Sequence, residues 1–495
     1  MERRRRLAAT VAPVALPAAV LAGLGGWLLA RGYGLWYDEL YTAAVAPLPL
    51  GRLWSALVSG TGTIAFLADA PPSYNAPYYA VAHLWLGLTG LAPDEWGLRL
   101  LSLVAAVAAL AVLGRAVARL AGPWVGLVAG LVLATNPFVV RYAVEARGYG
   151  LTMLATAAVG LSFVRWLEDR PGAVAAHGVA VSLAGLAHWF ALTVPLALAV
   201  AALGLRRRQA LPLVAATAAG AVPALALVAL ALANGVGGSG ATWIPAVGLG
   251  APRILLRSWS GQAWLLAAAT VVAAAAAVVG RGPAAPRVVA AAWVGVPVAV
   301  VTVGGLLRPL FVDRYLLAAL LGLGVLVALG LRQLPRPLAP VAAALLVGTS
   351  ALVTTADVRA GPLEDVRGAV AYVAAHRAAG EPVVAPARWD ALGVDHYARA
   401  RHPEMVEDLV LPPEVLPPVH PAEVVPAGAL GPAEQPPATA VWVVRRAAEG
   451  VAGDAAKVAE LDRRLRAGGM VVTTEVTMPG RMADVVVQRW ARVAG

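Results

Sequence analysis

Clusters of arginine cut this chain into long apolar runs, and that alternation leaves it few folds to adopt. A bilayer's hydrocarbon core is about 30 Å thick and takes about 20 apolar residues in a helix. Runs of that order cover residues 7–30, 98–114, 124–140, 149–167, 211–233, 259–280, 288–307, 315–331 and 338–353. Residues 173–205 are too long for one crossing and read as two, with an outer turn at His188-Trp189. Backbone N–H and C=O groups find no water inside lipid, so each run is predicted to be helical. The composition agrees: 60% of the 495 residues are hydrophobic and 14% are charged, with mean hydropathy +0.73. Such a chain is not a soluble domain. Its net charge of +11 would suit nucleic acid, but the arginines fall between the apolar runs, where topology signals belong. No nucleic-acid partner is therefore expected. The absence of cysteine excludes disulfides and thiolate metal sites.

The arginines also set sidedness. Arg3, Arg4, Arg5 and Arg6 hold the N-terminus in the cytoplasm. The run that follows is long and ends at Arg31-Gly32-Tyr33 without a small-residue cleavage site, so it reads as a retained first helix. Arg115 and Arg119, Glu168-Asp169-Arg170, Arg206-Arg207-Arg208, Arg281 with Arg287, and Arg332 with Arg336 then mark successive returns to the cytoplasm. The count comes to about 11 spans, with the C-terminus outside the cytoplasm of a multi-pass cell-membrane protein. Residues 74–91 are apolar and aromatic, but as a full span they would invert every later arginine cluster. With residues 50–59 they read as helices lying in the membrane interface, where Trp and Tyr are favoured.

The expected organisation is a transmembrane domain over 1–355, whose first outer loop covers 31–96, followed by a small α/β domain over 356–495. In the latter, 363–379 and 454–467 have helical spacing, while 382–385, 441–444 and 484–488 read as strands. Residues 412–437 are proline-rich and read as loop. The glycine-rich stretch 235–240 is a linker and not a phosphate loop, since no strand precedes it and no Lys-Ser/Thr follows.

Four polar groups fall on the outer side by this topology. Asp38 and Glu39 stand just beyond the first span, where charge near a membrane tends to be kept for function. Asp69 and Asn75 flank a proline-rich turn that leads to Tyr78 and Tyr79. Arg141, Glu145 and Arg147 share one short turn; Arg308, Asp313 and Arg314 precede Tyr315. Outer arginines run against the positive-inside trend. Local pairing accounts for Arg141 with Glu145, and for Asp313 with its neighbours. Arg147 and Arg314 are read as anion-binding, because guanidinium forks fit phosphate. His83 reads as an interfacial or packing residue, and His188 as a rim position.

The order Tyr37-Asp38-Glu39, Pro77-Tyr78-Tyr79 with His83-Leu84-Trp85, and Leu98-Arg99-Leu100 opening a span resembles the start of GT-C membrane glycosyltransferases. Among them it is most similar to the family 39 protein O-mannosyltransferase-like and aminoarabinose-transferase-like enzymes. Asn136-Pro137-Phe138, Glu145-Ala146-Arg147-Gly148-Tyr149 and Arg314-Tyr315-Leu316 fall where those families carry similar signatures. The likeness covers residues 7 to about 331; Asn75-Ala76-Pro77 departs from it, standing where His-Pro-Pro is usual. The resemblance implies a polyprenyl-phosphate sugar donor, with mannose one of the sugars it suggests. It implies transfer outside the cytoplasm to a hydroxyl of a protein, glycolipid or polysaccharide. Asp38 is then the base, and attack opposite the leaving group inverts the anomeric carbon. Glu39, Asp69, Asn75, Tyr78, Glu145, Arg147, Arg314 and Tyr315 are expected to bind substrate. If a divalent cation takes part, oxygen ligands at Asp38 and Glu145 would suit magnesium, manganese or calcium. From the residues alone, a multi-pass transporter of a lipid-linked or amphipathic substrate is the alternative. Against it, the ionisable groups gather at one face and not at mid-bilayer.

Overall fold

The computed structural model describes residues 2–59, 75–233, 244, 246–307, 309, 311–410, 439–447 and 452–492. Its contacts separate two compact units. One comprises Met1–Arg31, Arg99–Leu230 and Ile244–Arg359; the other comprises Gly32–Leu98, Ala231–Trp243 and Ala360–Gly495. Among the described residues eight helices are long and apolar enough to cross a membrane, and two bent helix pairs raise the figure to 10. The eleventh expected crossing corresponds to Ala173–Ala187, an apolar helix of 15 residues. The chain is thus an α-helical polytopic membrane protein with a small C-terminal sheet.

Every residue of the Leu317–Leu331 helix is buried, so it forms the axis of the first unit. Close approach depends on small residues there, as is usual where helices pack without a hydrophobic drive between them. A Cβ on Gly330 would stand 1.7 Å from the carbonyl oxygen of Ala273. Near the ends of its spans Arg119 pairs with Glu168 and Arg206 with Asp169.

One bend in the first unit has a clear local cause. Pro123–Ala134 and Pro137–Ala143 meet at 71° across Asn136-Pro137. A residue before proline is pushed out of the helical region, and Asn136 is extended (φ −71°, ψ 127°). Pro137 then opens the second helix, where its missing N–H costs nothing. The Asn136 side chain caps that helix, accepting from Phe138 N at 3.0 Å and Val139 N at 3.1 Å. The carbonyl of Thr135, freed by the break, accepts from Ser350 Oγ at 2.9 Å and Thr354 Oγ1 at 2.6 Å. A broken helix survives in the membrane only when such groups are satisfied again. The second bent pair, Gly248–Trp259 with Trp264–Val279, turns through 111°. Gly261 takes φ +60° at that turn, and a Cβ there would come within 2.7 Å of Pro137 and Val353. Asn136 Nδ2 donates to the Trp259 carbonyl at 2.7 Å, so the two bends are locked together.

In the second unit, the loop segment carries three helices: Tyr37–Val45, Leu50–Ser59 and Ala76–Thr89. Trp54 and Leu50, and likewise Leu84 and Leu88, are exposed apolar side chains. The sheet has five strands: β1 (Val383–Val384), β2 (Leu409–Val410), β3 (Ala440–Arg446), β4 (Met470–Met478) and β5 (Val485–Arg492). Their order is β2-β1-β3-β5-β4, with β2, β1 and β3 parallel and β5 antiparallel to both β3 and β4. The helices Val366–His376, Arg388–Arg401 and Ala452–Ala467 accompany it. A polar network fixes the sheet's centre. Glu381 accepts from Trp442 Nε1 and from Arg489 Nη2, each at 2.6 Å. Burial works against its charge, but these donors hold the Glu381 carboxyl below its usual range.

Candidate active site

The first unit gathers two of the four polar groups. Arg141 ends the short Pro137–Ala143 helix, and the chain turns before Tyr149–Leu167 begins. That turn is tight: Arg147 N–H donates to the Glu145 carbonyl at 2.7 Å, and Ser102 Oγ donates to the Arg147 carbonyl at 3.2 Å. Glu145 and Arg147 are buried. Asp313–Leu316 forms one turn of 3-10 helix leading into the axial helix, so Arg314 and Tyr315 sit at its mouth. The two groups share one electrostatic neighbourhood. Arg141 feels Glu145, Asp313 and Asp357; Tyr149 feels Arg314, Glu145 and Arg147; His188 feels Arg314 and Arg147.

An aromatic wall lines the same place. Tyr142 and Tyr149 meet edge-on at 4.9 Å, Tyr149 lies 5.9 Å from His188, and His188 lies 5.1 Å from Tyr315. Phe190 stacks on Tyr315 at 4.9 Å with 21° between planes. His188 Nδ1 and the Trp189 indole N–H are buried with no hydrogen-bond partner among the described residues. Buried polar atoms of this kind call for a reason. Arginines for an anion, rings to stack on, and polar groups still to be satisfied make a surface suited to a phosphorylated sugar. Sequence reasoning gave substrate-binding roles to Tyr315, Arg147 and Arg314, quoted Tyr149 only within a signature, and gave no role to Tyr142 or Phe190. The signal was there: ring residues stand within a few positions of a polar turn in three separate spans.

The second unit holds Asp38 and Glu39 in the first turn of Tyr37–Val45. Asp38 is half-buried. Glu39 is fully buried, and its Oε2 accepts from the Trp36 N–H at 3.3 Å. Glu39 therefore orders the start of this helix. Tyr78 and Tyr79 are also fully buried, and Asn75 Nδ2 is buried with no partner among the described residues. His83 Nδ1 bonds the Ala46 carbonyl at 2.9 Å, which suits a packing role. Asp69, Arg308 and residues 235–240 lie outside the described residues. Among the described residues no three His, Cys, Asp or Glu gather where they could hold a metal ion.

No protein-family model matches the sequence, and no curated protein sequence matches it. Solved structures do. ArnT from Cupriavidus metallidurans in the apo state superposes with TM-score 0.57 at 16% identity, over 96% of this chain and 97% of that one. The same protein bound to undecaprenyl phosphate gives 0.56 at 15% identity, over 97% of each chain. The Archaeoglobus fulgidus oligosaccharyltransferase, in complex with zinc and sulfate, gives 0.53 at 11% identity, over 77% of this chain and 61% of that one. At such identities the likeness carries the fold. This chain has the GT-C fold of polytopic membrane proteins, as the motif order led one to expect.

Proposed function

We propose that this protein is an integral membrane glycosyltransferase that moves a sugar from a polyprenyl-phosphate donor to an acceptor hydroxyl on the extracytoplasmic face, with inversion. The observation that carries the reading is the end-to-end fold likeness to ArnT, one of whose structures holds undecaprenyl phosphate. The arginine and aromatic cluster at the bent spans supports it chemically. In the reaction the bond from the anomeric carbon to the phosphate oxygen breaks, and its electron pair stays on the phosphate. The acceptor oxygen bonds the same carbon from the opposite side and loses its proton to Asp38. Phosphate leaves readily, so the protein's task is to hold it and to supply one base. Arg314 and Arg147 hold the phosphate, and Tyr315 offers a face for the sugar. Asp69, Asn75, Tyr78 and Glu145 contact sugar or acceptor, and Glu39 orders the helix that carries Asp38. Mannose is the donor sugar to test first. No step in this mechanism is routed through a metal.

The test is sugar transfer from radiolabelled polyprenyl-phosphate sugars in membranes containing the purified protein. Release of polyprenyl phosphate with label on an acceptor is expected. Movement of the donor between leaflets without transfer would replace the reading with a transporter.

The arginine alternation ends with Arg332 and Arg336 inside and Leu338–Arg359 leading out, so the sheet domain should lie outside the cytoplasm. A reporter fused after Gly495 that works only in the cytoplasm should be silent. An active reporter would mean that one crossing is miscounted, with Ala76–Thr89 the first suspect.

A further inference from the structure

The helix that carries Asp38 is capped in part by its own Glu39 and in part from far along the chain. The first N–H groups of any helix lack partners within it, and a side chain at the cap position usually serves them. Here that position is Trp36, and an indole N–H can only donate, so its side chain cannot serve those N–H groups. Glu39 takes the Trp36 N–H. The Tyr37 N–H is taken instead by Glu364 Oε2, at 3.3 Å and 327 positions away. Glu364 belongs to the segment just ahead of the sheet domain and is 1% exposed. Its other oxygen accepts from the Arg446 guanidinium at the end of β3. Arg446 is itself fixed: its backbone N–H donates to Asp390 Oδ1 at 2.9 Å, and its guanidinium lies 5.9 Å from the centre of the Tyr37 ring.

The residues ahead of Asp38 are held from the same side. Leu35 N–H donates to Tyr397 Oη at 2.6 Å, and that hydroxyl donates on to Glu95 Oε1 at 3.1 Å. A Cβ on Gly34 would stand 3.0 Å from both Arg367 and Tyr397. Four consecutive residues before Asp38 are therefore fitted against the C-terminal segment or capped by Glu39.

We infer that Glu364 is a positioning residue for Asp38, and that the C-terminal segment supplies part of the catalytic geometry by capping and clamping the helix on which Asp38 stands. The inference rests on Asp38 being the base. Asp38 is also close enough for its charge to act on Glu364. Burial, opposed by Arg446 and reinforced by Asp38, pushes the Glu364 carboxyl up to about 7. The essential property is an acceptor that reaches the Tyr37 N–H from the Arg446 side. A glutamine keeps the reach and one acceptor: its amide oxygen can still take the Tyr37 N–H, while its NH2 group is a donor and gives up the Arg446 contact. An aspartate, one methylene shorter, keeps the charge and loses the reach.

The experiment compares Glu364→Gln, Glu364→Asp and Glu381→Ala in the purified full-length protein with a polyprenyl-phosphate sugar. Misplacing a reacting group by about 1 Å costs up to about 10²-fold, so Glu364→Asp should lose about 10-fold in kcat with donor KM unchanged. Glu364→Gln keeps the bond to the Tyr37 N–H and loses only the Arg446 contact, so it should lose less than Glu364→Asp, about 3-fold. Glu381→Ala breaks a buried ion network in the same unit without touching the Tyr37–Val45 helix through any bond described above, and should lower thermal stability more than kcat. The opposite ranking, with aspartate better than glutamine, would overturn the inference. So would a kcat loss in Glu381→Ala equal to that in Glu364→Asp, because both would then be damage to the domain. Failure of the underlying reading looks different: Asp38→Asn would itself remain active.

Discussion

Asp38→Asn should reduce turnover by about 10²–10⁴-fold, the usual cost of losing a positioned general base. Asparagine keeps the size of the side chain and can still hydrogen-bond, but it cannot take the acceptor's proton. Donor affinity should stay within about 3-fold, because binding energy in this reading comes from phosphate contacts elsewhere. The variant should also fold: Asp38 is half-buried on a short helix whose start is secured by Glu39 and Glu364. Glu39→Gln provides the contrast. The amide oxygen can still accept the Trp36 N–H, so the cap survives and the loss should stay below about 10-fold; losing a cap outright costs about 0.5–2 kcal/mol. The measurement is single-turnover transfer by both variants at equal expression, with the anomeric configuration of the product read by NMR. Near-normal turnover in Asp38→Asn would remove its role and shift attention to Glu145. Retention of configuration would exclude a single displacement, whichever residue is the base.

Much of this was legible in the sequence wherever one physical constraint acts locally. Lipid demands long apolar helices, and the arginine clusters mark where they end, so the spans could be read directly. The break at Asn136-Pro137 inside the run 124–140, which reads as one span, has an equally local cause: proline both restricts the residue before it and opens the next helix. The sheet domain was harder to read. β1 falls inside the 382–385 run that reads as a strand, but β2 is two residues, too short to show any period. β4 has one buried residue and is otherwise exposed or half-exposed on both faces, so it carries no apolar alternation. The Arg388–Arg401 helix buries Asp390, Gly393 and Ala398 beside Leu392 and Val394, so no apolar stripe stands out from its charges. The site divides in the same way. Charged and aromatic residues at span ends announce themselves. Glu364 does not, because what makes it matter is an amide 327 positions away.

Arg314→Ala should cut kcat/KM by about 10²–10³-fold, the range found when one preorganised donor to a developing oxyanion is removed. The reason lies in how charge changes along the reaction. A sugar phosphodiester carries one negative charge, and the departing lipid phosphate carries close to two. An arginine on that phosphate is therefore worth more in the transition state than in the donor complex, and most of the loss should appear in kcat. The place fits the role. Arg314 stands at the mouth of the axial helix, next to Tyr315 on its aromatic wall, with Arg147 acting on the same His188. Arg314→Lys keeps the charge but gives up the planar fork, so it should recover only part of the loss, leaving turnover about 10-fold down. Affinity for free undecaprenyl phosphate supplies an independent readout, since the product is the dianion that the arginine should hold best. It should weaken more in Arg314→Ala than affinity for the intact donor does. Raising ionic strength should not imitate the mutation, because a partly buried pair is screened far less than a surface one. If Arg314→Ala leaves both turnover and undecaprenyl-phosphate affinity unchanged, the guanidinium serves only to balance the neighbouring carboxylates. The phosphate must then be sought at Arg147, which is buried and acts on the same Tyr149 as Arg314.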